Sequence, residues 1–111
     1  MSCRIHRAAT LRANGLVWRD RVIADTGSAE GRAAADAHQV PIELIGVVAA
    51  RIAGYIARGE ILVSWRDTIG ALCGPGQTRR VVRYLEARGH IEHTDDQDLI
   101  RPVRADELPL G

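Results

Sequence analysis

From residue 40 onward the apolar positions fall into a helical rhythm. Ile45, Val48, Ile52 and Ile56 recur at spacings of three and four, and Leu44, Val47 and Tyr55 widen that stripe. Pro41 suits the first helical turn, Glu43 complements the positive end of the helix dipole, and Gly59 ends the element. Ile61-Leu-Val63 is rich in β-branched residues and predicts a short strand. Ser64-Trp-Arg-Asp67 has the form of a capping box with Asp in place of Glu, and Trp65, Ile69 and Leu72 form the stripe of the helix it opens. Gly74-Pro75 stops that helix. A further helix is predicted over 76–88, with Thr78, Val81, Val82 and Leu85 inward and Gly89 as its stop. At about 100° per residue, Arg80, Arg83 and Ala87 fall on its outer face, with Arg79 and Tyr84 flanking and Gln77 at the N-terminal edge. Ile91-Glu-His93 and Leu99-Ile-Arg-Pro102-Val103 enclose an acidic, turn-rich stretch and predict a β-hairpin, with Pro102 at an edge or an end of its strand.

Residues 1–38 carry a weaker pattern. Cys3 to Ala13 predicts a short helix closed by Asn14-Gly15, a good left-handed stop. Leu16-Val-Trp18 and Val22-Ile23 suit either a strand or a helix. Ser28 can cap an Ala-rich helix over 29–37. The expected organisation is an N-terminal arm over 1–38, a mainly α domain with a small β-hairpin over 39–104, and a loose tail over 105–111.

Composition bounds the function. A chain of 111 residues with 46% hydrophobic and 26% charged residues can build one core, which excludes a multidomain enzyme. The longest apolar run, Ile42–Ile56, is interrupted by Glu43, Arg51 and two glycines and falls short of the ~20 residues of a membrane span. The first residues lack the apolar core of a secretory signal, and two cysteines make no disulfide framework, so a cytoplasmic location is expected. All 15 basic residues are arginine, which codon bias in a GC-rich genome explains. Net charge is only +1, but residues 64–90 carry five arginines against two acids, and residues 91–111 carry two against six. One surface therefore favours anions and another repels them.

The order helix, short strand, helix, turn, helix, hairpin resembles the winged helix-turn-helix superfamily. The stretches Ser64-Trp-Arg-Asp-Thr-Ile-Gly-Ala-Leu-Cys-Gly74 and Gln77-Thr-Arg-Arg-Val-Val-Arg-Tyr-Leu-Glu-Ala-Arg-Gly-His-Ile91 are similar to the helix-turn-helix of bacterial or phage MarR-like and GntR-like regulators. The likeness spans residues 40–104 and is most specific at Leu85-x-x-x-Gly89-x-Ile91. It implies a small transcriptional regulator that lays helix 76–88 in the major groove of double-stranded DNA. The DNA-binding residues it implies are Gln77, Arg79, Arg80, Arg83 and Tyr84, with a phosphate held at the helix opened by Ser64. A homodimer on a two-fold operator is expected, because Trp18, Ile23 and the broad apolar helix 41–58 exceed what a small core absorbs.

The wing departs from the family. Asp95, Asp96 and Asp98 crowd its tip, where family members often carry basic residues. The alternative is a protein-interaction module, such as a phage-encoded, anti-CRISPR-like inhibitor, docking through Glu92, Asp95, Asp96 and Asp98. The segment Gly59–Asp67 is also loosely similar to the DNA-binding part of alkylguanine alkyltransferases, but their Pro-Cys-His-Arg nucleophile motif is missing and Cys73 lies in Leu-Cys-Gly. His90-x-x-His93 straddles a strand start and points to opposite faces, so no metal ligand set is expected. The acidic turn lacks the Gly and closing Glu of a calcium loop, and no phosphate-loop, dinucleotide or Ser-His-Asp signature occurs, so neither catalysis nor a cofactor is expected.

Overall fold

The computed structural model describes residues 4–104. Five helices and three short strands follow in the order α1 (Arg4–Gly27), α2 (Ala29–His38), α3 (Ile42–Ala57), β1 (Val63–Ser64), α4 (Trp65–Thr68), α5 (Pro75–Ala87), β2 (Ile91–His93) and β3 (Leu99–Pro102). The fold is mainly helical with a small antiparallel sheet of order β1-β3-β2. The last strand lies in the middle, pairing Val63 with Ile100 on one side and Glu92 with Arg101 on the other. Helices followed by a three-stranded sheet in this order are compatible with a winged helix. The expected tail over 105–111 lies outside the described residues, as does Cys3.

The N-terminal region differs most from expectation. Asn14-Gly15 does not end a helix; α1 runs through it for 24 residues. Gly15, Trp18, Val22 and Thr26 are buried at helical spacing, which also settles Leu16–Ile23 as helix rather than strand. Gly15 marks the point where α1 crosses α3. A Cβ there would lie 2.5 Å from the carbonyl oxygen of Ala53 and 3.5 Å from the amide nitrogen of Ala57. The helix-weakening cost of glycine, about 1 kcal/mol, is offset by the close approach that buries Trp18 and Val22. The break at Ser28 is as expected: its hydroxyl accepts from the Gly31 amide at 2.9 Å and starts α2. That helix ends on Gln39, a non-glycine residue in the left-handed region whose N–H closes back onto Ala35 and Asp36.

The core is one cluster centred on α3, with Trp18 and Val22 of α1 and Ala35 of α2 on one side and the later elements on the other. Ile45, Val48, Ile52 and Ile56 of α3 meet Ile69, Val81, Tyr84, Leu85, Ile91 and Ile100, all buried. Of the inward residues expected on the last helix, Thr78, Val81 and Leu85 are buried and Val82 is half-buried. The expected strand 61–63 shrinks to Val63–Ser64, and Ile61 and Leu62 stand exposed. Continuing the register would put Ile61 opposite Pro102, which has no N–H to donate, so the ladder stops there. Pro102 thus ends its strand, and that strand is central. Gly89, at φ +76°, makes the sharp stop that turns α5 into β2.

The crossing at Gly15 gives a direct test. Gly15→Ala should destabilise the protein by about 1–3 kcal/mol through overpacking. Gly46→Ala, in α3 where an added Cβ meets nothing, should instead stabilise it by about 0.5–1 kcal/mol. Urea unfolding of the two variants checks the opposite signs.

Candidate nucleic-acid interface

The site is built on α5. Gly74 caps the helix without a side-chain bond, Pro75 opens it, and the Thr78 hydroxyl donates back to the Gly74 carbonyl at 2.9 Å. Cys73 sits beside this turn, its sulfur 3.4 Å from the Thr78 hydroxyl, as a packed structural thiol. Thr78, Val81, Tyr84 and Leu85 fix the inner face. Arg79, Arg80 and Arg83 are all exposed on the opposite side, and none takes part in an ion pair among the described residues. Gln77 is half-buried at the N-terminal edge.

Two expected contact residues are corrected. Tyr84 is fully buried and cannot present itself to a ligand outside the molecule. Its hydroxyl donates to the Gly31 carbonyl at 3.4 Å, and His38 meets its ring edge-on with centroids 6.1 Å apart. Burial pushes the phenol above its ordinary pKa. Helix α2 covers this flank of α5, and the apolar pattern of α5 alone gave no hint of it. Ser64 is the second correction. Its hydroxyl accepts from the Asp67 amide at 3.3 Å, the expected cap, but α4 is only four residues long. The Trp65 amide already donates to the Asp98 carbonyl. Two of the amides that would meet a phosphate at this turn, those of Trp65 and Asp67, are therefore already bonded within the chain.

The wing is tied down and partly neutralised. The Trp65 indole donates to the Gln97 carbonyl at 2.6 Å, and Arg66 pairs with Asp98 at 3.3 Å while lying over the Trp65 ring. Asp96 accepts the Asp98 amide at 2.8 Å, and Glu92 is paired with Arg101 across the hairpin. Glu92, Asp96 and Asp98, three of the four acidic residues expected to act together, thus have separate structural engagements, and all four, Asp95 included, are exposed.

A cluster that sequence reasoning missed holds α5 and the wing to α1. Asp25 accepts two bonds from Arg88, at 2.9 and 2.7 Å, and its carboxylate lies 3.0 Å from Nε2 of buried His90. The His90 carbonyl accepts both the Trp18 indole N–H at 3.1 Å and the Val103 amide at 2.9 Å. The Arg88 guanidinium holds the Asp25 carboxyl below the usual carboxylate range despite its burial. Burial pushes the His90 imidazole down although Asp25 pulls it up. His93, by contrast, is exposed and meets Glu86 at 2.6 Å, so the two histidines do face apart. Among the described residues no group of three His, Cys, Asp or Glu side chains is placed to hold a metal ion.

A groove of about 370 Å³ lies between α1 and the end of α3, and Arg79, Arg80 and Arg83 are not among its lining residues. Leu11, Val17, Ile56 and Ile61 line it, with Glu60 and Arg104 as its charged residues. Comparison with family models, curated proteins and solved structures finds no significant match to this chain.

The Asp25 cluster sets an acid dependence. Both Asp25 and His90 have folded-state pKa values below their ordinary ones, so the unfolded chain binds the extra protons. Stability should fall as pH drops below about 6.5, first through His90, and fall further below about 4 through Asp25. Asp25→Asn should cost about 1–3 kcal/mol at neutral pH, because Arg88 loses its partner. It should also flatten the lower part of the dependence. Thermal melts from pH 3 to 8 on the parent and this variant measure both effects.

Proposed function

We propose that this chain is a small DNA-binding regulator that lays the outer face of α5 in the major groove. The observation that supports this is the trio Arg79, Arg80 and Arg83, exposed on a helix whose opposite face is locked into the core. A guanidinium fork matches O6 and N7 of guanine, and a single exposed helix face fits a groove about 12 Å wide. Gln77, at the leading edge, is the candidate adenine partner. The acidic wing stays off the phosphates, because Asp95 and its neighbours would be repelled there. The rival reading, docking of a basic protein on the wing, is weakened because Glu92 and Asp98 already hold arginines of this chain.

The test compares two sets of variants on DNA. Arg80→Ala and Arg83→Ala should each weaken binding to the preferred sequence. A base contact costs about 1–3 kcal/mol and relaxes preference at one base pair, whereas a phosphate contact weakens all sequences alike and lowers the salt slope. Asp95→Asn should leave DNA binding equal or tighter. Titration against genomic fragments at several salt concentrations decides. Unchanged binding by both arginine variants would remove the proposal.

A further inference from the structure

The outward side of α3 carries a pattern that core packing does not use. Glu43, Val47, Ala50, Gly54 and Arg58 are all exposed and fall within about 80° of arc around the helix, opposite buried Ile45, Val48, Ile52 and Ile56. Val47, one turn in from Glu43, is 53% exposed, and a Cβ added at Gly54 would meet nothing. The neighbouring helix extends the apolar surface. Gly15 of α1 faces α3, and Trp18 turns toward the His90 carbonyl on the sheet side. At about 100° per residue, Leu16 and Ile23 project from the other flank of α1, on the side away from the sheet. They are 48% and 43% exposed.

The charges on this stripe are arranged to match themselves. Glu43 stands in the first turn of α3 and Arg58 caps its end, its guanidinium over the Tyr55 ring. We infer that this face binds a second copy of the chain, α3 against α3 of the partner subunit, antiparallel about a two-fold axis between Ala50 and Arg51. That register places Glu43 opposite Arg58 of the partner subunit, twice by symmetry. It also places Val47 over Gly54 of the partner subunit, with Ala50 at the centre, so the backbones can approach closely. A parallel pairing would set glutamate against glutamate and arginine against arginine. The two-fold keeps both α1 helices on the same side, where Leu16 and Ile23 add apolar area. Apolar burial supplies the affinity, and the charge pairs fix the register. The contact does not involve α5 and stands independently of whether that helix meets DNA.

Sedimentation of the full chain at high micromolar concentration tests the inference, with circular dichroism as the check on folding. The parent should sediment as a dimer. Val47→Glu, at an exposed position, should give a folded monomer. Glu43→Arg alone and Arg58→Glu alone should each weaken the dimer by at least about tenfold, because each sets like charges together at two places. The double variant, with both charges exchanged, should recover the dimer. A monomeric parent would overturn the inference, as would a dimer indifferent to Val47→Glu. Single reversals that the double variant does not rescue would overturn the antiparallel register. DNA titration of the Val47→Glu monomer separates this result from the fate of the α5 proposal.

Discussion

The carboxylate of Asp25 is the tie on which the rest of the structure depends. One short acid near the end of α1 holds both Arg88, the C-cap of α5, and His90, two residues further on beyond Gly89. Those groups are separated from it by more than sixty residues of chain. The same corner takes the Trp18 indole on the His90 carbonyl, so the stop of α5 is gripped from two points on α1 about two turns apart. Partly buried charges cost several kcal/mol to desolvate, and the doubly bonded guanidinium offsets that cost only in one geometry. The corner therefore specifies where α5 ends and where the hairpin begins.

That placement explains how the charges divide. Arg88 is consumed inside, Arg66 and Arg101 are consumed by the wing, and Arg51 donates to the Asp67 carbonyl behind α4. Arg79, Arg80 and Arg83 remain outside on α5. A chain with a net charge of +1 can thus present a concentrated basic face, because its acids are spent locally on other arginines. The wing is stiffened by the same economy: Trp65 and Arg66 bind its tip from α4.

Helix α3 joins the two halves of the molecule. Its inner side packs on α5 and the sheet, and one flank receives α1 at the Gly15 crossing. Its outer stripe is left with an exposed valine and opposite charges at opposite ends. An antiparallel contact uses all of these at once.

The sequence alone determined the elements whose signals are local. The stripe of α3, the cap at Ser64, the stops at Gly59 and Gly89 and the hairpin were legible, because each depends on residues within one or two turns. The outward direction of Arg80 and Arg83 followed from helical phase in the same way. Tertiary structure decided the rest. Asn14-Gly15 has the local chemistry of a helix stop, yet Gly15 serves as a close-packing point, because the partner that needs the space is Ala53. Tyr84 looked like a flanking surface residue until α2 covered it. Ile61 and Leu62 looked like strand until Pro102 ended the ladder that would have paired them. The joining of Asp25, Arg88 and His90 leaves no trace in spacing or periodicity. It is a contact across distant chain segments, and such contacts exist only once the helices have packed.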